Sequence, residues 1–283
     1  MTLEEFFTLW IDTYVKPKRA DSTWKGYQYA FAHVPPQLRR TGLDALDPLS
    51  IQRMINETAA ETPRQAQILT VALRASLTRA KRLGMIDRNP MELVGKPNHR
   101  KRDICYFSAE EAAAYVRALE GRGGQRALLL MLCLGLRRNE ARAIRAGDLM
   151  EDGTIRIRYQ RRGEKLLPLK TESSVRILPV PEGLRWIFNG PAGEYLCPGS
   201  ESWLRRQHIA AMKAAGIDRP VTLHGLRHTA ATLAIKEGVP LTTVQRLLGH
   251  RHYNLTADIY IHSDLDALRR CTFGITNVFQ LPA

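Results

Sequence analysis

His224 and Arg227 are three residues apart in the stretch HGLRH, a spacing that puts both on one face of a helix. Histidine and arginine side by side can hold a phosphate by hydrogen bonds and charge. Gly249-His250 follows, and Tyr260 lies ten residues beyond His250. A tyrosine hydroxyl brought to that phosphate is a nucleophile. Upstream, Arg137 follows the apolar run RALLLMLCLGL (126–136). An arginine there must leave the core or find an anion, and Glu140, three residues on, can hold its guanidinium. Arg137 and Arg227 together can each give bidentate hydrogen bonds to a phosphodiester. They count most as charge develops in the transition state. Lys170 is read at the tip of a polar hairpin, where a mobile ammonium can reach a leaving oxygen; Lys165 is the alternative in the same hairpin. Tyr253 is the rival nucleophile.

Composition bounds the partner. The chain of 283 residues carries net charge +14, with 44% hydrophobic and 25% charged residues. That balance suits a soluble globular protein whose partner is a polyanion, most often nucleic acid. The charge is spread: residues 1–103 hold 17 basic against 11 acidic side chains, and the remainder 25 against 17. No run is long and apolar enough for a membrane span, and the acidic start MTLEEFFTLW does not read as a signal peptide. Cys105, Cys133, Cys197 and Cys271 are scattered, which suggests reduced thiols in a cytosolic protein. No cluster of carboxylates, cysteines and histidines has metal-ligand spacing, so neither metal nor other cofactor is expected.

The elements that must position these residues are mainly helical. Leu3, Phe6, Phe7, Trp10, Ile11 and Tyr14 recur at helical spacing, and a second helix after Ser22 is broken at Pro35-Pro36. Ser50 is expected to cap a short helix with Ile51, Met54 and Ile55 inward. Thr62-Pro63 opens a long helix that Gly84 closes, and Asn89-Pro90 ends the unit. Lys16, Lys18 and Arg19 in a basic loop, and Arg74, Arg79, Lys81 and Arg82 on the long helix, are candidate phosphate contacts. Residues 95–103 (GKPNHRKRD) read as a linker; its basic core, 100–103 with Arg100, Lys101 and Arg102, is placed across a duplex backbone. The expected domains are 1–99 and 104–283.

The second domain should open with a capping box at Ser108-Glu111 and bury a helix over 126–136. An amphipathic helix is then expected to Arg145, followed by strands over 154–160 and 174–180. Helices are expected at about 201–215, 224–237, 242–248 and 254–262, with Gly216, Gly238 and Gly249 as C-caps and a Thr242/Gln245 capping box. Arg138, Arg205 and Arg206 are further candidate DNA contacts.

Five segments in order, LGLRRNE (134–140), LKTESSVR (169–176), HGLRH (224–228), LLGH (247–250) and Tyr260, resemble the signature of the tyrosine recombinases, the phage integrase family. The layout of nearly the whole chain is similar. The resemblance implies a helical, SAM-like core-binding domain before a mostly helical catalytic domain with a small antiparallel sheet. It implies that Arg137 and Arg227 clamp the scissile phosphate and that Lys170 protonates the departing 5′ oxygen. His224 would assist proton transfer, His250 would hydrogen-bond a phosphate oxygen, and Glu140 would support the site. Tyr260 would form a 3′-phosphotyrosyl intermediate, without ATP or metal. The implied partners are duplex DNA with a specific core site, three further protomers on paired sites, and an accessory DNA-bending protein. The implied location is the cytoplasm and nucleoid of a bacterial or phage-infected cell. No arm-binding domain is expected before the bundle. The apolar tail after Tyr260, with Leu265, Leu268, Phe273, Ile275, Val278 and Phe279, is expected to pack either on its own domain or on a neighbouring protomer. Two alternatives are a type IB-like topoisomerase and a DNA-binding regulator without catalysis.

Overall fold

The computed structural model describes residues 1–97, 105–169, 174–249, 268–272 and 274. Lys170, His250, Tyr253, Tyr260, the basic linker core 100–103 and the expected helix at 254–262 lie outside the described residues. The chain forms two compact units, Met1–Arg102 and Asp103–Ala283.

The first unit is helical. Helix α1 (Leu3–Trp10) starts at Thr2, whose side chain and Glu5 form a capping box. One wider turn, Ile11–Val15, carries it on, so the apolar face from Leu3 to Val15 stays buried. Helix α2 (Asp21–Phe31) packs Phe31 against Phe7 in a stack 4.0 Å apart. A short α3 (Pro36–Arg40) follows, starting at the proline pair that stops α2. Helix α4 (Pro48–Glu61) corrects the expected cap. Asp47, not Ser50, takes that role, accepting the Ser50 N–H at 2.8 Å, and Pro48 occupies the first turn. Ile51, Met54 and Ile55 do face inward. Helix α5 (Pro63–Arg82) buries Leu69, Leu73 and Leu77 along one side. Gly84 takes φ 72° just past its end, a conformation that costs other residues energy.

The second unit is mostly helical with two small antiparallel ladders. Helix α6 (Ala109–Ala118) has the Ser108/Glu111 capping box. Helix α7 (Gln125–Cys133) buries every residue from Ala127 to Cys133. The amphipathic helix expected up to Arg145 is absent. Helix α8 (Arg138–Ala141) has four residues, and the chain then turns so that Arg142 points into the interior. Strand β1 (Thr154–Ile157) pairs antiparallel with β4 (Arg176–Pro179), Ile157 opposite Arg176. The expected single strand 154–160 is interrupted at Arg158. A separate hairpin forms from β2 (Tyr159–Arg162) and β3 (Lys165–Pro168), Arg162 opposite Lys165. Its turn is Gly163-Glu164, so the hairpin tip falls there rather than at Lys170.

Helix α9 (Glu201–Ala214), α10 (Leu223–Lys236) and α11 (Leu241–Leu248) complete the unit. Gly216, Gly238 and Gly249 follow them with φ of 70°, 79° and 62°. The Thr242/Gln245 box is not formed: Pro240 precedes α11 and offers no side-chain cap. From the tail, Leu268 and Cys271 are buried in the core of this same unit. No helix among the described residues is long and apolar enough to cross a membrane.

One buried polar chain fixes where α10 begins. The Tyr115 hydroxyl meets His208 Nδ1 at 2.7 Å, and His208 Nε2 meets the Val221 carbonyl at 2.9 Å. Val221 immediately precedes Thr222, whose side chain caps α10. Nε2 must carry the proton to donate to a carbonyl, so Nδ1 accepts from the tyrosine. Burial holds the His208 pKa below the ordinary histidine value. The unfolded chain therefore takes up a proton first as pH falls. The stability due to neutral His208 is complete above about pH 6.5 and is lost progressively below it. Urea midpoints should fall on acidification below that pH, and His208→Gln should flatten the fall. An unchanged pH profile in the variant would remove His208 from this role.

Candidate active site

Gly135, with φ 61°, breaks the chain out of the buried α7 and delivers Arg137 to the cap of α8. A Cβ at Gly135 would lie 2.7 Å from a Leu248 methyl, so the glycine is also required for close approach to α11. Glu140 is 1% exposed. Its Oε2 accepts the Arg137 N–H at 2.9 Å and Arg176 Nη2 at 2.8 Å, while Oε1 accepts Arg137 Nη1 at 2.7 Å. Burial by itself would raise the pKa of this carboxyl. The Arg176 and Arg137 guanidiniums and the Arg137 N–H outweigh burial and hold it below the ordinary carboxylate value.

The other end of each arginine is held by backbone. Arg176 Nε donates to the Leu247 carbonyl at 2.8 Å. Arg227 Nη2 donates to the Leu248 carbonyl at 2.5 Å, and Arg137 Nη2 to the Gly249 carbonyl at 3.0 Å. Three consecutive carbonyls at the C-terminus of α11 thus hold three different guanidiniums. A helix leaves its last carbonyls without intrahelical partners and carries partial negative charge there, so this is where cations are stabilised. Arg227 also donates from Nη1 to the Gly135 carbonyl at 2.7 Å. It is 2% exposed. Burial, then Arg137 and Arg176, push its pKa down to about 9, with Glu140 opposing. It still carries its charge at neutral pH.

The cluster holds three cations against one carboxylate. An anion entering it gains from the surplus charge and from guanidinium N–H groups. His224 is exposed on α10, one turn before His228; their rings meet edge-on with centroids 4.6 Å apart. Burial, then Arg227, lowers the His228 pKa. Arg137, Arg227 and Glu140 are therefore brought together, and His224 shares the helix that carries Arg227.

Residue spacing alone assigns Arg176 no role. The signal for it is a basic residue inside an otherwise apolar strand, SVRILPV. The expected DNA contacts fall into two groups. Arg138 pairs with Glu201 at 2.6 Å, Lys16 pairs with Asp12 and lies over the Trp24 ring, and Lys81 pairs with Glu92. Arg74 donates to the Val94 carbonyl at 2.8 Å, and Arg79 stacks on Tyr14. Lys18, Arg19, Arg82, Arg205 and Arg206 are exposed.

Residues 106–266 match the phage integrase family, and residues 2–59 match its N-terminal SAM-like domain. The chain is 31% identical over 175 residues to the tyrosine recombinase XerA of Saccharolobus solfataricus, covering 61% of this chain and 57% of that protein. It is 24% identical over 311 residues to a XerC-like tyrosine recombinase of Caldanaerobacter subterraneus, covering 93% and 79%. With XerD of Yersinia pestis it shares 32% over 154 residues, half of each chain. The fold is that of the Tn1549 transposon integrase solved with a circular intermediate DNA: TM-score 0.74, 16% identity, 95% of this chain and 99% of that one. It is likewise that of a lambda integrase tetramer bound to a Holliday junction: TM-score 0.71, 19% identity, 92% and 80%. With an arginine–glutamate cluster set among segments in this order and the family match running through them, the chain belongs to the phage integrase family of tyrosine recombinases.

Proposed function

We propose that this protein is a site-specific DNA recombinase that cuts and rejoins duplex DNA through a 3′-phosphotyrosyl intermediate. The observation that carries the reading is the group of three guanidiniums around one buried carboxylate, whose surplus positive charge suits a phosphodiester. Arg137 and Arg227 hold the non-bridging oxygens and stabilise the charge that develops on them. The Tyr260 hydroxyl attacks phosphorus, and the bond to the 5′ oxygen breaks. Lys170 gives that oxygen its proton, with Lys165 as the alternative donor. His224 assists removal of the tyrosine proton, and His250 hydrogen-bonds a phosphate oxygen. Tyrosine has an ordinary pKa near 10, so the surplus positive charge of the cluster is needed to favour its ionisation. The phosphotyrosyl bond retains the energy of the phosphodiester, so a 5′ hydroxyl from a second strand reverses the step without ATP.

In this reading residues 1–99 form the core-binding domain and 104–283 the catalytic domain, with the basic segment 100–103 across the DNA backbone. Four protomers act on two paired sites in the cytoplasm. An accessory protein bends the DNA where the sites require it.

Nicked suicide duplexes taken from sequences flanking the gene test the chemistry. Wild type should become covalently attached, and digestion should place the nucleotide on Tyr260. Tyr260→Phe should abolish the adduct while Tyr253→Phe keeps it; a nucleotide on Tyr253 or on any serine would overturn the mechanism. Arg137→Ala or Arg227→Ala should slow cleavage by about 10²–10³-fold, on the scale of losing one preorganised donor to a developing oxyanion. DNA affinity should largely survive in Arg137→Ala, because the other basic contacts remain. Wild-type cleavage by Arg137→Ala would remove it from the clamp. Glu140→Gln should destabilise the fold by about 3–5 kcal/mol, since it strips the compensating charge from a buried ion pair. An unchanged urea midpoint would show that the arginines do not depend on that carboxylate.

A further inference from the structure

Arg176 opens β4, a cation in a strand that continues with Ile177, Leu178 and Pro179. Its side chain is 7% exposed. All three of its guanidinium nitrogens donate to protein acceptors. Nε gives to the Leu247 carbonyl at 2.8 Å, Nη1 to the Ser174 carbonyl at 3.1 Å, and Nη2 to Glu140 Oε2 at 2.8 Å. These acceptors lie in three separate segments: the last turn of α11, the approach to β4, and α8. A planar guanidinium with donors in a fixed fork can span them; an ammonium is a single point and cannot.

Both ends of this strap lead to Arg137 and Arg227. On the α8 side, the Glu140 carboxylate that takes Arg176 Nη2 also takes the Arg137 N–H and Arg137 Nη1. On the α11 side, the two carbonyls that follow Leu247 take Arg227 Nη2 and Arg137 Nη2. Arg137 is therefore held from α8 through Glu140 and from α11 through Gly249, and Arg176 ties those two holders to each other. Its guanidinium packs directly on the helix end, with Nη1 3.1 Å from where a Cβ of Gly249 would stand. A buried ion pair of this kind is a weak source of stability, since well-packed apolar residues of similar volume often serve as well. What three directed bonds supply is geometry. A shift of the α11 end against α8 would move the acceptors of both arginines together.

We propose that Arg176 is a positioning residue that fixes the C-terminus of α11 against Glu140 and so sets Arg137 and Arg227 at the spacing one phosphate requires. This rests on the recombinase reading above, in which those two arginines hold the non-bridging oxygens. Arg176 acts through them, its own nitrogens being taken by protein acceptors. A methylphosphonate at the scissile bond has a methyl group in place of one non-bridging oxygen and carries no negative charge. It therefore asks less of a two-arginine clamp, and less of whatever positions that clamp.

The test compares suicide duplexes carrying an ordinary phosphate or a methylphosphonate at the scissile bond. Arg176→Lys keeps a cation beside the buried carboxylate but cannot span the three acceptors. Each rate is taken per folded molecule, the folded fraction being read by urea unfolding, and compared with wild type on the same substrate. The variant should slow adduct formation on the phosphate by about 10²-fold, the scale of a 1 Å misplacement, and on the methylphosphonate by less than about tenfold. Arg137→Ala is the reference for a weakened clamp and should show the same split. Equal losses on both substrates, as a general disturbance of the fold would give, or no loss on either, would overturn the inference while leaving the recombinase reading intact. Wild type that forms no adduct with the ordinary phosphate would overturn the recombinase reading itself. A measurement on the wild-type protein needs no variant to fold. The Arg176 Nε–H, held by the Leu247 carbonyl, should exchange slowly by NMR; exchange at the rate of an exposed arginine would overturn the inference.

Discussion

The arginine cluster of the second unit depends on one buried carboxylate holding like charges together. Arg137, Arg176 and Arg227 would repel one another across so small a space. Glu140 offsets part of that repulsion, and the carbonyl end of α11 offsets a further part. The balance is left positive, with three guanidiniums set against one carboxylate. Burial sharpens the effect at Arg176 and Arg227, which are largely shielded from water.

The α7-to-α8 turn shows why this geometry needs particular backbone. A fully apolar helix must stop, and a charged residue must leave its end without a second helix getting in the way. Gly135 makes the stop by adopting a left-handed conformation and leaves no Cβ to collide with Leu248. Its carbonyl then serves as a second acceptor for Arg227. Packing and chemistry are set by the same residue.

Much of this was legible in the sequence. Glycine C-caps, the Ser108 capping box and the apolar runs gave the helices, because those signals are local. Arg137 and Glu140 were legible because charge beside an apolar run demands a partner, and Arg227 because its spacing puts it on one helix face with His224. Three features were not. Asp47 rather than Ser50 caps α4, since both residues suit the role and only the position of Pro48 in the first turn separates them. The helix expected up to Arg145 fails because Arg142 finds carbonyl acceptors far along the chain, which no local pattern records. Arg176 carries no local signal because its partner, Glu140, lies 36 residues away in sequence. Long-range pairing by main-chain acceptors leaves no trace in residue identity.

That last point bears on how the site tolerates change. The acceptors at Leu247, Leu248 and Gly249 are backbone carbonyls, and any amino acid brings the same carbonyl. Leu247 and Leu248 are buried, so their side chains answer to packing alone. Isoleucine, methionine or valine there would alter the core yet leave the holding of the arginines as it is. Only Gly249 is constrained by conformation, with φ 62° and the Arg176 guanidinium 3.1 Å from where a Cβ would stand. Selection on the grip and selection on the core are thereby uncoupled at adjacent positions. Apolar exchanges at Leu247 and Leu248 keep the same carbonyl acceptors.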